Sequence, residues 1–462
     1  MPRENVDIAI IGAGVVGCAL ARRLTLDGAK VLVIEKALDV LDGASKGNSA
    51  ILHTGFDAPP GSLEQACIAK GHRDYRAIAD DLGLPIVKAG GLVLAWNKGQ
   101  LEKLPSLIDK AKRNGVSDVS MLTPDEIKDR EPHLREGVAG GFEVPGEALI
   151  DPWWTAHAYL LQALANGASL LRGTELLSGA FDGAKWTLET SQERIQARYV
   201  LNCAGLYGDI VDRRLLGEQA FAITPRKGQF VVFDKAASRY VSSILLPVPT
   251  KTTKGIVLCR TIFGNLLVGP TAEDQDSRTD ARTERDILMA LKAKAISMVP
   301  ALAGCEVTAA YAGLRPAIES QDYQIRHRPS QNYMTIGGIR STGLSAALGI
   351  AGYVAEMMGD DSLNHDPIPS PKTPSPDRLS NYHRRDWQEP GNGGVICHCE
   401  LVTRREILEV MAGPMPPKTL SGLKRRTRAG MGRCQGFYCT AELSELTDGH
   451  LTPPIAPSID HG

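Results

Sequence analysis

Four cysteines in the last seventy residues have the spacing of a metal or cluster site. They form two close pairs, Cys397 with Cys399 and Cys434 with Cys439. Four thiolates bind either a 2Fe-2S cluster or a zinc ion. Zinc sites usually take their cysteines from Cys-x2-Cys turns, so a Cys-x-Cys pair followed by a Cys-x4-Cys pair favours the cluster. Zinc and unliganded cysteines are the remaining alternatives.

A glycine-rich turn near the amino end is the second candidate site. Gly12, Gly14 and Gly17 fit G-x-G-x-x-G between a predicted strand and a predicted helix. In that context the first glycine permits a tight turn, the second admits a pyrophosphate, and the third lets helix and strand pack closely. Glu35 ends the next predicted strand, where a carboxylate can accept hydrogen bonds from both ribose hydroxyls of an adenosine. The pattern predicts a dinucleotide site without a 2′-phosphate, but it does not separate NAD from FAD.

Three later segments favour FAD. Residues 43–56 are rich in small and hydroxyl side chains, residues 199–205 read as a buried strand ending in Ala-Gly, and residues 336–350 read as strand, glycine-rich turn and helix start. Small residues and exposed amides let backbone approach a cofactor closely. The candidate cofactor-binding residues are Gly12, Gly14, Gly17, Glu35, Lys36, Ser45, Asn48, Ser49, Ala204, Gly205, Gly338, Gly343, Leu344 and Ser345.

In this order the segments resemble the FAD-dependent oxidoreductases of the D-amino-acid oxidase superfamily, which includes flavin glycerol-3-phosphate dehydrogenases and L-2-hydroxyglutarate dehydrogenases. The likeness spans roughly residues 5 to 360 and is closest at 48–63, 131–132 and 311–316. It implies an α/β fold with a Rossmann-type FAD-binding domain and an inserted α+β substrate domain built on an antiparallel sheet. The predicted FAD-binding domain is 1–85, 145–215 and 315–362, and the predicted substrate domain is 86–144 and 216–314.

The resemblance also points to substrate residues. Related dehydrogenases place the arginine of this Gly-x-Arg-Pro stretch, here Arg315, at the substrate anion, which a guanidinium binds through two hydrogen bonds. His53 is the candidate general base for the substrate hydroxyl; packing beside the flavin and covalent attachment of the cofactor are its alternatives. Arg340 stands where relatives often carry an uncharged or acidic residue, and it is predicted to clamp the anion or stabilise reduced flavin. Lys254 is either a further anion ligand or an exposed turn residue.

The cysteine segment resembles the bacterioferritin-associated-ferredoxin-like domain, a small helical 2Fe-2S module fused to flavin dehydrogenases of the glycerol-3-phosphate type. The resemblance implies that Cys397, Cys399, Cys434 and Cys439 hold the cluster within residues 395–447. A Pro-rich linker at 363–394 precedes this module, and a tail at 448–462 follows it. Basic residues at 424–433 are predicted to favour the reduced cluster, to dock an acidic electron acceptor, or to be a solvated surface.

The elements around the amino-terminal turn follow the βαβ pattern. Residues 7–11 and 30–34 are predicted strands, and residues 15–27 have helical periodicity that stops at Gly28. Runs typical of antiparallel strands occur at 228–233, 255–259 and 265–268.

The composition is that of a large, nearly neutral globular protein. The 462 residues carry a formal charge of −1, so no nucleic-acid partner is expected. Nine cysteines are too few for a disulfide scaffold and indicate reduced thiols in the cytoplasm. Cys18, Cys67, Cys203, Cys259 and Cys305 are predicted core residues. No run approaches the roughly 20 apolar residues of a transmembrane helix, so membrane contact is expected only at the periphery of the inner face.

Together these features predict a dehydrogenase in which FAD accepts hydride from a small hydroxylated anion resembling glycerol 3-phosphate. Electrons then pass through the 2Fe-2S cluster to a partner subunit or quinone. A 2-hydroxy acid resembling L-2-hydroxyglutarate, and a secondary amine or amino acid, are alternative substrates. An electron-relay or redox-sensing flavoprotein without a dedicated substrate is the alternative of another class.

Overall fold

A computed structural model describes residues 3–249, 255–320, 322–359, 365–376 and 379–456. The strands, in chain order, are β1 Arg3–Ile11, β2 Val31–Glu35, β3 Ile51–Leu52, β4 Ile86–Val87, β5 Gly91–Ala95, β6 Ser120–Leu122, β7 Gly140–Val144, β8 Ala148–Ile150, β9 Ser169–Arg172, β10 Leu176–Phe181, β11 Trp186–Thr190, β12 Arg194–Asn202, β13 Thr224–Phe233, β14 Ile244–Pro247, β15 Val257–Arg260, β16 Leu266–Gly269, β17 Glu273–Asp274, β18 Val307–Ala317, β19 Gln324–Arg328, β20 Tyr333–Gly337, β21 Val395–Cys397 and β22 Val402–Thr403.

The helices, in chain order, are α1 Val15–Leu26, α2 Leu63–Ile78, α3 Lys98–Leu101, α4 Leu104–Arg113, α5 Pro124–Arg130, α6 Trp154–Ala165, α7 Gly208–Leu216, α8 Arg285–Met298, α9 Gly343–Met358, α10 Arg404–Ala412, α11 Leu420–Thr427 and α12 Thr440–Leu446.

The first sheet carries the predicted dinucleotide site. Strands β9, β2, β1, β12 and β20 run parallel in that order, and β11, β10 and β19 add antiparallel edges. Alternate residues of β1 enter two different hydrophobic clusters, Ile8 and Ile10 on one face and Ala9 and Ile11 on the other. A parallel sheet buried on both faces needs such unbroken apolar strands, which is why the opening run lacks polar alternation. The predicted Rossmann-type α/β fold is confirmed.

Helices α2 and α9 cross at unusually close range beside this sheet. A Cβ added to Gly71 would lie 2.1 Å from the carbonyl oxygen of Ser345, and one added to Gly349 would lie 2.1 Å from that of Cys67. Only a hydrogen atom fits at either position. The crossing brings the amino end of α9 against the segment that contains His53.

The second sheet is the predicted antiparallel one. Its order is β17-β13-β16-β15-β14-β5-β7-β6, with β18 also paired to β13; only the β14 and β5 pair is parallel. In the β13 and β18 pairing, Arg226 stands directly opposite Arg315. The predicted domain boundary at 314/315 falls inside β18, which ends at Ala317. A third, three-stranded sheet has the order β3-β8-β4 and is antiparallel throughout. Along the chain, each of its strands falls where the chain passes from one of the larger sheets to the other.

The Pro-rich segment contains no α-helix or β-strand among its described residues, yet it is attached to the rest of the chain. Ile368 N donates to the carbonyl of Leu26, and Lys372 N donates to Asn166. Asn381 N donates to the carbonyl of Ile262. The segment therefore runs along the surface of both sheets rather than acting as a free spacer. It leads to the cluster module, defined here as residues 395–448, in which α10, α11 and α12 surround the hairpin of β21 and β22.

Candidate active site

A cavity of about 390 Å³ lies at the carboxyl ends of β1, β2 and β12. This edge of a parallel sheet is where doubly wound folds bind nucleotides. The predicted cofactor residues that line it are Gly12, Gly14, Glu35, Lys36, Ser45, Ala204 and Gly205.

At two glycines of the turn, a side chain would collide with backbone atoms. A Cβ on Gly12 would lie 2.6 Å from the carbonyl oxygen of Cys203, and one on Gly17 would lie 2.0 Å from that of Gly12. Gly12 also has φ +105°, which side-chain-bearing residues rarely adopt. Gly17 therefore serves close packing between helix and strand, while Gly12 and Gly14 border the cavity.

Glu35 is the acidic residue of this cavity. Its Oε2 accepts a hydrogen bond from Ala13 N at 2.7 Å and its Oε1 accepts one from Ala37 N at 2.8 Å. Burial raises the pKa of Glu35 although both amides oppose that shift. Beside it, the Lys36 ammonium lies 3.0 Å from the centroid of the Tyr207 ring. The Oγ of Ser45 accepts a hydrogen bond from Val15 N at the start of α1. These contacts orient the walls of a nucleotide-sized space.

Two smaller cavities continue from the first. One of about 150 Å³ contains Asn48, Ser49, Gly338, Gly343 and Leu344, and it shares Gly14, Ser45 and Gly205 with the first cavity. Another, of about 200 Å³, shares Ser49, Arg315 and Arg340 with the second. Through these shared residues the three cavities adjoin one another, and their linings would accept an extended FAD along the first and middle cavities and a small substrate in the cavity of about 200 Å³.

This substrate-sized cavity is lined by several cations. The side chain of Arg226 pairs with Asp274 through hydrogen bonds of 2.6 and 2.9 Å, and Arg340 lies 3.3 Å from the buried Glu64. Lys110 donates to the carbonyl of Asp57.

Arg315 differs from these neighbours. Its guanidinium donates to the carbonyl of Thr271 at 2.9 Å, and no carboxylate lies within salt-bridge distance of it in the described part of the chain. Burial lowers the pKa of Arg315 to about 10, and the facing Arg226 adds to the effect. Two like charges opposite each other across strands destabilise a sheet. An anion bound at Arg315 would relieve both costs.

His53 lines the same cavity and is held from two sides. Its backbone N donates to Ser345 Oγ at 2.8 Å, and its ring Nδ1 lies 2.8 Å from Oε2 of Glu147. Glu147 is fully buried, and its Oε1 accepts hydrogen bonds from both N and Oγ1 of Thr54. An ionised carboxylate in this position accepts from Nδ1–H, which makes Nε2 the nitrogen that takes up a proton. The arrangement suits removal of a proton from an alcohol.

Two predicted positions have a different outcome. Ser345, a predicted cofactor-binding residue, is buried, donates to the carbonyl of Ile51 and accepts from His53 N. It therefore positions the histidine and is not among the residues that line the middle cavity. Lys254 lies outside the described residues.

The four cysteines of the cluster module lie close together. Cys399 interacts with both Cys434 and Cys397, and Cys439 interacts with both Cys397 and Cys434. Amides of Tyr438, Gly436 and Phe437 donate to the Cys434 sulfur and lower the pKa of its thiol. Burial raises the pKa of Cys399, and that of Cys439 to about 12. Gly430 N donates to the Cys397 sulfur at 3.5 Å.

A 2Fe-2S cluster takes two thiolates at each of its two irons, so four sulfurs that lie close together supply the donors it needs. The donor set therefore fits the cluster. Of the five other cysteines, four are buried as predicted, but Cys305 is only partly buried.

The basic stretch at 424–433 attaches the module to its own chain. Arg425, Arg426 and Arg428 are buried; Arg425 bonds Asp42 and the carbonyl of Val40, and Arg428 pairs with Glu400. The predicted solvated surface is therefore wrong for these three side chains, and so is a docking face for an acidic acceptor. Their charges are used inside the molecule: Arg425 reaches Asp42 near the amino end of the chain, whereas Arg428 is paired with Glu400 inside the cluster module.

Comparison with known proteins agrees with this geometry. The sequence profile described as FAD dependent oxidoreductase matches residues 7–357. The chain belongs to the FAD-dependent oxidoreductase family. A second profile, the BFD-like [2Fe-2S] binding domain, matches residues 395–448 of the same oxidoreductase. Its cofactors are thus FAD and a 2Fe-2S cluster, as predicted.

Relatives of the oxidoreductase cover nearly its whole length. Glycerol 3-phosphate dehydrogenase of Caloramator mitchellensis is 32% identical over 451 residues, which is 95% of this chain and 93% of the relative. One subunit of the anaerobic glycerol-3-phosphate dehydrogenase of Escherichia coli is 24% identical, covering 99% of this chain and 90% of the relative. The solved structure of L-α-glycerophosphate oxidase from Mycoplasma pneumoniae with bound FAD superimposes with a TM-score of 0.74 at 26% identity, covering 80% of this chain and 97% of that one.

No helix in the described part of the oxidoreductase is both long and apolar enough to cross a bilayer.

Sequence reasoning missed two residues of its site, Glu147 and Arg226. Glu147 follows a Val-Pro-Gly turn and carries no local signal of its contact with His53, 94 positions away. Arg226 lies two residues before the predicted strand at 228–233, and its place opposite Arg315 depends on strand register.

Proposed function

We propose that this enzyme oxidises the secondary hydroxyl of glycerol 3-phosphate to a ketone. The observation that carries the proposal is the cavity of about 200 Å³, where Arg315 and the His53 held by buried Glu147 line the same space. A small phosphorylated alcohol has both groups that these residues recognise. The names of the relatives support the choice, since those matching the greatest length of the chain act on glycerol 3-phosphate.

The two residues have separate tasks. Arg315 binds the phosphate, because a guanidinium offers a bidentate fork and a dianion offsets the charge buried beside Arg226. Its position then places the secondary carbon toward the middle cavity. Bound FAD supplies the chemistry of accepting a hydride from that carbon. His53 Nε2 takes the hydroxyl proton, and Glu147 stabilises the imidazolium that results.

Arg340 is proposed to assist the anion from the other side of the cavity. Its guanidinium is shared with Glu64, which itself accepts from Thr342 Oγ1 at 2.8 Å. This pairing reduces the charge that Arg340 can offer, so Arg315 carries the larger share of phosphate binding. We also propose that the electrons leave through the cluster to a separate electron acceptor, because one relative is named as part of a larger enzyme.

Anaerobic mixing of the purified holoenzyme with candidate substrates tests the proposal. Glycerol 3-phosphate should bleach the flavin absorbance within one turnover, whereas glycerol, which lacks only the phosphate, should require a far higher concentration. L-2-Hydroxyglutarate and N-methyl amino acids should leave the flavin oxidised. Rapid bleaching by either of these, without bleaching by glycerol 3-phosphate, would assign the cavity to a carboxylate substrate and reject the proposal.

A further inference from the structure

Three side chains from three parts of the fold stack on one another between the flavin cavities and the cluster. The indole of Trp153 and the ring of Phe263 are stacked with centroids 5.6 Å apart and planes 16° apart. The guanidinium of Arg428 lies 3.9 Å from the centroid of the same Phe263 ring. Trp153 precedes α6 beside the first sheet, Phe263 lies in the turn between β15 and β16, and Arg428 follows α11 in the cluster module.

Each end of this stack reaches a cofactor site. The indole Nε1 of Trp153 donates to the carbonyl of Lys46 at 3.2 Å, and Lys46 and Gly47 border the first and middle cavities. At the other end Arg428 Nε bonds Glu400, which follows Cys399 in the chain. Two residues after Arg428, Gly430 N donates to the sulfur of Cys397.

Hydrogen bonds from the Pro-rich segment also hold the turn that carries Phe263. Asn381 donates from Nδ2 to the carbonyl of Phe263 at 2.7 Å, and Arg385 bridges Asn381 to the carbonyl of Glu400. Phe263 and Arg428 are both buried, at 4% and 5% exposure. An aromatic ring that both stacks on an indole and lies under a guanidinium has a specific geometry rather than a loose contact.

We infer that Trp153, Phe263 and Arg428 form a pin that holds the cluster module against the flavin cavities in the position used for electron transfer. Oxidation of one alcohol releases two electrons, and the cluster carries one at a time to a one-electron acceptor. Two transfers must therefore follow each other in every turnover, with the module kept in place. The inference rests on the proposed passage of electrons from flavin to cluster, and it does not depend on the identity of the substrate.

The test compares Phe263→Leu with Phe181→Leu, a matched control in another aromatic pair of the first sheet, 5.5 Å from Trp186. In each holoenzyme the flavin is reduced anaerobically by substrate, or by a light pulse in the presence of a sacrificial electron donor such as EDTA, and freeze-quenched paramagnetic resonance follows reduction of the cluster. Phe263→Leu should slow cluster reduction severalfold or more, because the rate of electron transfer falls steeply as the donor and the acceptor move apart. Flavin bleaching by substrate should keep its wild-type rate, and cluster content should be unchanged.

Hydrogen exchange supplies a readout independent of redox chemistry. Amides of residues 395–448 that face the flavin unit should exchange faster in Phe263→Leu than in the wild type or in Phe181→Leu. Phe263→Tyr, which keeps the ring, should restore both the exchange pattern and the rate of cluster reduction. Wild-type rates of cluster reduction in Phe263→Leu would overturn the inference. If glycerol 3-phosphate fails to bleach the wild-type flavin, the proposed substrate is wrong, while the light pulse still tests the pin.

Discussion

Replacement of Glu147 by Gln isolates the role of the carboxylate behind His53, because the two side chains have nearly the same shape. In the wild type one carboxylate oxygen accepts two hydrogen bonds from Thr54 and the other accepts from His53 Nδ1. A glutamine has only one oxygen. If that oxygen stays with Thr54 N, the amide NH2 faces Nδ1 and donates to it. The histidine is then forced into the tautomer that carries its proton on Nε2, which cannot accept the substrate proton.

The expected loss is large. General base catalysis contributes about 10²- to 10⁴-fold to a rate, so Glu147→Gln should lower the rate of flavin bleaching at saturating glycerol 3-phosphate by about a hundredfold or more. The Michaelis constant should change little, since Arg315 is untouched. Because the carboxylate stabilises the protonated imidazole, its removal should also move the acidic limb of the pH profile to lower pH.

Anaerobic stopped-flow measurement of flavin bleaching between pH 5 and 9 is the assay. Glu131→Gln is the matched control: Glu131 is also buried, but it accepts hydrogen bonds from the backbone of Ser242 and Ser243, away from the cavity. That variant should keep the wild-type rate and pH profile even if it is less stable. A Glu147→Gln enzyme that bleaches within threefold of the wild type, with the same acidic limb, would refute the reasoning.

Three further outcomes follow from the site. Arg315→Ala should lower kcat/KM for glycerol 3-phosphate by at least tenfold, which is about 1.4 kcal/mol of transition-state stabilisation. The kcat/KM of Arg315→Lys should lie between those of the wild type and Arg315→Ala, and an unchanged value in Arg315→Ala would remove Arg315 from the site. Cys434→Ser should abolish the visible and paramagnetic resonance signals of the cluster while flavin bleaching by substrate continues, and loss of bleaching would show that the two sites are not separable. Gly17→Ala should give protein that purifies without bound flavin, because the new methyl would meet the carbonyl of Gly12; a normal flavin content would contradict the packing role given to Gly17.

A dinucleotide site and a four-thiolate site could be predicted from short stretches of sequence, while FAD and the 2Fe-2S cluster followed from the resemblance of longer segments to known families. The glycine turn between β1 and α1, with Glu35 at the end of β2, is a local arrangement in which every residue acts within one βαβ unit. The spacing of the cysteines was equally informative, since two close pairs in a small module leave few arrangements of sulfur. Turn geometry, capping and strand periodicity depend on neighbours a few positions apart, so they can be read directly from the chain.

The substrate cavity depended on contacts between distant segments. His53 meets Glu147 only because β3 and β8 pair, and Arg226 faces Arg315 only in the observed register of β13 and β18. A shift of one residue in that register would turn one arginine to the opposite face of the sheet. The burial of Arg425, Arg426 and Arg428 could not be predicted from the sequence, because burial of a charge depends on where its hydrogen-bond partners fold. The sequence by itself determined which cofactors this protein binds, whereas the tertiary structure alone decided which side chains surround the substrate, since strand register and packing between units bring those side chains together.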